Sequence, residues 1–212
     1  MGSRELTPAR GRPREFDPDE VLDRALPLFW RDGFEGASVS ALADAMGVSK
    51  PSLYAAFGDK EGLYLRALER YAQQQRDRHA AVLSRHADAR SAVEALLLSV
   101  VDEITDPSRP GGCMVVSATA SCDALAIPAS VKAALCGALH AAEHELDERL
   151  LRAVQTGELS HDVDVTALSA YFNTVISGLV VQAKGGATRT ALRAVVGSAI
   201  LAWPALTGRR PS

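Results

Sequence analysis

An all-α fold is predicted by three features of this sequence: an alanine-rich, aromatic-poor composition, successive apolar stripes at helical spacing, and a cap or glycine where one stripe gives way to the next. Hydrophobic residues make up 47% of the 212 residues but aromatics only 5%, a balance that favours helix over sheet. Neither β-type alternation nor an internal repeat stands out. The length suffices for one good core, or for one core with a small satellite.

Residues 1–15, with Arg4, Arg10, Arg12 and Arg14 among Pro8, Gly11 and Pro13, lack periodicity and read as a flexible basic arm. The first helix starts at Asp17 as cap, with Pro18 in the first position and Glu20 where a capping box wants it. Val21, Leu22, Ala25, Leu28 and Phe29 form its stripe and Gly33 ends it, while Pro27 inside the pattern predicts a kink or loosened last turns. Ser38 caps a short second helix whose apolar face is Val39, Leu42, Ala43 and Met46. Gly47 supplies the sharp turn, since glycine visits the left-handed region cheaply. Ser49 then caps a third helix with Pro51 in its first turn and Leu53 and Phe57 facing inward. A short helix braced by a partner, offering hydroxyls and a cation at its start, suits a DNA major groove. Residues 38–63 therefore read as a helix-turn-helix.

Asp59 caps a long helix reaching about Leu83. Further helices are expected over 92–104, 113–125, 128–154, 164–184 and 188–203, the last ended by Pro204. The predicted architecture is a three-helix head over 16–61 and a larger helical body over 62–212.

Charge is unusual for a nucleic-acid binder. The net charge is −3, and residues 1–60 carry eight basic against ten acidic side chains. DNA binding should then rest on placed contacts rather than bulk charge. No run is expected to reach the uninterrupted apolar length of a bilayer span, and the start of the chain is polar and arginine-rich, so a cytoplasmic protein with no membrane partner is expected. Three cysteines, Cys113, Cys122 and Cys136, are too few for a secreted disulfide framework. No phosphate loop, nucleophile elbow or metalloprotease signature occurs, so no catalytic residue, metal or cofactor is assigned and an enzyme is not expected.

Capped first helix, helix-turn-helix and the run Leu53-Tyr54-x-x-Phe57-x-x-Lys60-x-x-Leu63 together resemble the tetracycline-repressor (TetR) family of bacterial transcription regulators, over roughly residues 15–65. The resemblance implies a head that binds palindromic operator DNA as a homodimer, a body that binds a small effector, and subunits paired through the last two helices. It places Ser38 and Lys60 on phosphates, and Ser49, Lys50, Pro51, Ser52 and Tyr54 in or beside the major groove. Lys50 is the candidate for a base-edge contact, because a cation can donate to guanine O6 and N7. Arg12 and Arg14 are candidates for minor-groove or phosphate contact. Ala56 and Pro51 depart from residues frequent in the family at those positions.

Two further sites follow from the body's residues. Leu168, Tyr171, Phe172, Val175 and Leu179, with Leu192, Val195, Val196, Ala199, Ile200 and Trp203, cover more of two helices than one core stripe needs and predict an isologous dimer interface. The small residues Ser117, Ala118, Thr119, Ala120 and Ser121 predict a ligand pocket between helices, with Met114 and Phe172 as walls and Cys113 and Ser117 as polar points. The expected function is a repressor released by a small molecule. Alternatives are a thiol-responsive regulator through Cys113 or Cys122, a metal-responsive one through His140 and His144, four residues apart, and a helical adaptor that does not recognise an operator.

Overall fold

The computed structural model describes residues 17–119 and 127–208. The arm with Arg12 and Arg14, the end of the 113–125 segment and Cys122 lie outside the described residues. Ten α-helices and no strand occur among those described.

Helix α1 spans Pro18–Gly36, with the Asp17 carboxylate accepting from the Asp19 N–H at 2.9 Å. The break in α1 falls at Gly33 (φ 70°, ψ −174°), and Pro27 lies within the helical stretch before it. Helices α2 (Val39–Met46) and α3 (Lys50–Phe57) are joined through Gly47, whose φ of 70° is left-handed. Helix α4, Lys60–Ser84, is the longest rod of the head and continues into the body. At about 1.5 Å per residue its length approaches 40 Å.

The body adds α5 (Ala89–Ile104), α6 (Met114–Thr119), α7 (Ala129–Gln155), α8 (Val165–Lys184), α9 (Arg189–Leu201) and α10 (Trp203–Leu206). Pro204 does not end the last long helix, as its sequence position suggested. It sits in the first turn of α10, where its missing N–H has no helical acceptor to lose.

Packing proceeds around two apolar masses. One gathers α1–α3 with Leu63, Tyr64, Leu68 and Tyr71 of α4, and also takes in Met114, Val115, Val131 and Leu135. The other gathers α5, the second half of α7, α8 and α9. The second mass corrects the expected interface. Leu168, Phe172, Leu179, Leu192, Val196, Ala199, Ile200 and Trp203 all lie within the subunit's own core, none more than 5% exposed. They face α5, α7 and each other, and so have almost no surface left for a second subunit. Tyr171 and Val175 are half-buried, and Val195 is 47% exposed.

Beside Val195, the outer face of α8–α10 leaves Val181 and Leu201 open to solvent, at 59% and 78% exposure. Helix α8 also has the length and mean hydropathy, 1.3, of a bilayer span, which the sequence reading did not anticipate. Only 28% of its apolar window is buried within the chain.

Candidate DNA interface and internal cavity

The head presents α3 on its surface. Leu53 and Phe57 anchor the helix in the core, while Lys50, Pro51 and Tyr54 on its other side are exposed. Its start is closed by Ser49, whose Oγ accepts from the Ser52 N–H at 3.2 Å and lies 2.8 Å from Ser52 Oγ. Ser38 does the same for α2, accepting from Ala41 N–H at 3.1 Å. Both serines thus have a structural task at a helix start and remain at the surface. Such starts also hold unpaired backbone N–H groups that favour an anion.

Lys60 has a more specific setting than its position implied. Its Nζ donates to the Glu35 carbonyl at 3.1 Å and stands 4.9 Å from the Phe34 ring centroid. The lysine therefore ties the start of α4 to the end of α1 and holds a positive charge beside α3. Sequence reading also passed over Gly62, in the first turn of α4. A Cβ there would run into the Phe57 carbonyl oxygen, so only glycine lets α3 and α4 meet this closely. Asp59 completes the corner, accepting from the Gly62 N–H at 2.7 Å.

In the body, a cavity of about 80 Å³ opens between α4, α5, α7 and α8 and the 112–116 segment. At 10–15 Å³ of such volume per water, it has room for a small organic molecule. Its wall is mostly apolar, with Leu96, Val100, Leu139, Leu146, Ile176 and Val180, and polar groups converge from Tyr71, Gln75, His79, Glu103 and Asn173. Of the residues predicted to line a pocket, Cys113 does. Met114 is buried in the head-side core, and Phe172 packs against Tyr171 and Trp203 with ring centroids 5.0 and 5.7 Å away. Ser117 is likewise not on the wall, and its buried Oγ has no partner. Proximity in sequence misled for Met114 and Ser117, which follow Cys113 closely yet lie off the wall that it borders.

The polar wall is organised around Glu103, only 13% exposed at its side chain. Gln75 Nε2 donates to it at 2.8 Å, Arg78 at 3.1 Å, and Arg109 pairs with it as well. Gln75 Nε2 also donates to the Tyr71 hydroxyl at 2.8 Å, and that hydroxyl donates to Cys113 Sγ at 3.4 Å. Burial first, and then the neighbouring Cys113, push the Tyr71 hydroxyl well above the usual phenol range. Burial likewise lowers the His79 imidazole against the opposing pull of Glu103. A sequence signal for this wall existed. Tyr71, Gln75 and His79 recur every four residues on α4, and Glu103 interrupts the apolar face of α5.

Comparison with known proteins decides what this assembly is. Residues 21–67 match the model of bacterial regulatory proteins of the tetR family, and residues 89–198 match the tetracyclin repressor-like C-terminal domain. The chain belongs to the TetR family. It is 32% identical over 200 residues to the HTH-type transcriptional repressor ComR of Escherichia coli K12, covering 93% of this chain and 94% of ComR. It is also 32% identical over 179 residues to the repressor BdcR of the same organism, covering 83% of each. Among solved structures, a cysteine mutant of the TetR family regulator CifR, complexed with 26-bp operator DNA, has 41% identity and a TM-score of 0.82. That likeness covers 91% of this chain and all of the CifR chain.

As a TetR-family protein the chain is a DNA-binding transcriptional regulator and not an enzyme. Its exposed α3 is the second helix of the helix-turn-helix and lies within the matched residues 21–67. Among the described residues no group of three His, Cys, Asp or Glu side chains converges, and His144 pairs with Glu148 at 3.4 Å on an exposed face.

Proposed function

We propose that this protein is a cytoplasmic, homodimeric repressor that binds a palindromic operator and leaves it when a small molecule enters the body. Repression is suggested by ComR and BdcR, and operator binding by the CifR complex. The observation that carries the reading is the recognition helix itself: Leu53 and Phe57 fix α3 in the core while Lys50, Pro51 and Tyr54 stay outside. In this reading Lys50 reads base edges, Ser49, Pro51, Ser52 and Tyr54 line the groove, and Ser38 and Lys60 meet phosphates. Arg12 and Arg14 of the arm add minor-groove or phosphate contacts. Functionally, 16–61 is the DNA-binding unit and 62–212 the effector and dimerisation unit.

One recognition helix reads too little sequence alone, so two must sit about one DNA turn apart. The exposed apolar face of α8–α10, with Val181, Val195 and Leu201, supports pairing there with a second copy. The same face accounts for the unburied apolar length of α8 without a membrane. The cavity supports an effector, because it borders α4, the one helix shared by head and body. A ligand acts only if it binds better to the form whose two heads no longer fit one operator.

The test is a fluorescence anisotropy titration of the full-length protein on its own upstream region and on a shuffled duplex, at several salt concentrations. A preference of at least about 10³ for the upstream region supports an operator-specific repressor. Equal affinity for both duplexes would leave the adaptor reading in its place.

A second reading, a thiol-responsive regulator, is favoured by one observation: Cys113 lies on the cavity wall with the Tyr71 hydroxyl donating to its sulfur. Cys113→Ser distinguishes them, since it leaves a non-covalent response intact and removes a thiol-based one.

A further inference from the structure

The amide of Gln75 is fixed in orientation. Its two N–H bonds go to the Tyr71 hydroxyl and the Glu103 carboxylate, each at 2.8 Å. Turning the amide over would set its oxygen against the carboxylate, so the nitrogen must face Glu103. The consequence is an orphan: Gln75 Oε1 is buried and has no hydrogen-bond partner. A buried acceptor left unpaired loses its hydration without replacement, a cost that a donor brought into the cavity would recover.

The neighbouring hydroxyl cannot serve instead. Tyr71 gives its proton to Cys113 Sγ, and its oxygen already accepts from Gln75 and from the Met114 N–H at 3.3 Å. Charge narrows the choice further. Glu103 is already answered by Arg78 and Arg109, and the other acids on the wall are Glu143 and Glu145. Burial raises the Glu145 carboxyl and holds His79 towards its neutral form. Arg76 is the one arginine or lysine among the described residues of the wall, and its Nη2 is engaged with Gln73 at 2.6 Å. The three acids are matched by Arg76, Arg78 and Arg109, so a carboxylate entering this space would find no net positive charge to repay its desolvation.

We propose that the cavity takes an uncharged, largely apolar molecule bearing a hydroxyl or N–H donor, and that Gln75 Oε1 is the acceptor that selects it. The inference rests on the effector reading above and names the class of that effector. It makes Gln75 a specificity residue: the apolar wall supplies affinity, and the orphan oxygen distinguishes a donor from an isostere without one.

Three probes of matched length test it on the full-length protein near neutral pH: 1-hexanol, its isomer methyl pentyl ether, and hexanoate. Binding is followed by ligand-observed NMR titration. The alcohol should bind roughly tenfold more tightly than the ether, and hexanoate most weakly. In Gln75→Met the alcohol and ether should bind within about twofold of each other, with the ether as tight as in the wild type. Ala142→Phe, which fills the cavity, should weaken both. Equal binding of alcohol and ether to the wild type overturns the proposal, as does tighter binding of hexanoate or no binding by any probe. The wild-type ratio decides the matter even if Gln75→Met does not fold. Operator affinity, measured separately by anisotropy with each probe, keeps the two readings apart. An alcohol preference without any change in operator affinity removes the effector role and leaves the selectivity, whereas DNA release without that preference does the reverse.

Discussion

The indole of Trp30 stands edge-on to the ring of Tyr71, centroids 5.1 Å apart at 70°, so a residue of the DNA-binding head touches a residue of the cavity wall directly. Trp30 Nε1–H also donates to the Gly111 carbonyl at 2.9 Å, beside the segment that carries Cys113. Any displacement of Tyr71 by a ligand is therefore felt by α1. Trp30→Phe keeps a ring but loses the hydrogen bond, which is worth about 1 kcal/mol. Operator affinity without effector should change little, while release by effector should weaken several-fold in anisotropy titrations. An undiminished response would place the coupling elsewhere.

Lys50 and Lys60 should separate specificity from affinity. Lys50 is exposed, so Lys50→Ala should abolish operator preference without moving the melting temperature. Lys60→Ala should weaken binding to every duplex and lower the salt slope by about one. Because Lys60 also caps α1 through the Glu35 carbonyl, the same variant should melt a few degrees lower.

Gly62→Ala should be far more damaging than an ordinary glycine-to-alanine change in a helix. The added methyl would collide with the Phe57 carbonyl, whose backbone cannot yield without shifting α3. Calorimetry should show a loss of roughly 2–4 kcal/mol, or a head that no longer docks. A variant as stable as the wild type would show that the corner between α3 and α4 relaxes.

Two valines adjacent in sequence should answer differently. Val195 is 47% exposed and Val196 fully buried. Val195→Glu combined with Val181→Glu should yield a folded monomer by sedimentation velocity, since both lie on the free apolar face. Val196→Glu should unfold the body, because it buries an unpaired charge. A dimer that survives the first change would move the interface off this face.

Acid should destabilise the body through His79. Burial lowers its folded pKa below the unfolded value near 6.5. Above that value both states are neutral and the native state suffers no penalty. As pH falls from about 6.5 towards the folded pKa, the unfolded chain takes up a proton that the native state resists, and stability declines. His79→Leu should flatten the melting temperature across this interval, and a parallel decline in the variant would assign the effect to other groups.

Local chemistry was legible in the sequence. Asp17, Ser38, Ser49, Asp59, Asp164 and Thr188 were each readable as the start of a helix, and each side chain accepts from a backbone N–H two or three residues on. A cap needs only its own next turn. What depended on distant partners was not legible. The apolar stripe of α8 looks the same whether it faces α5 or a second subunit, so Phe172 and Val196 were assigned to a partner they cannot reach. The cavity draws its wall from four long helices and the 112–116 segment, and of the described residues named for the pocket Cys113 alone borders it.

The apolar mass of the head does not stop where the recognition motif does. It runs up α4 through Leu68 and Tyr71 and closes over Met114, Val115, Val131 and Leu135. The head is thus less a bead on a string than one end of a loaded beam. Grafting it onto another body by cutting after residue 61 would saw through shared packing, leaving Leu63, Tyr64 and Leu68 behind and exposing head residues such as Phe29 that they cover. A chimera that preserves operator choice would have to carry α4 to Tyr71, and with it the surfaces of α6 and α7 that this end of the rod was shaped to meet.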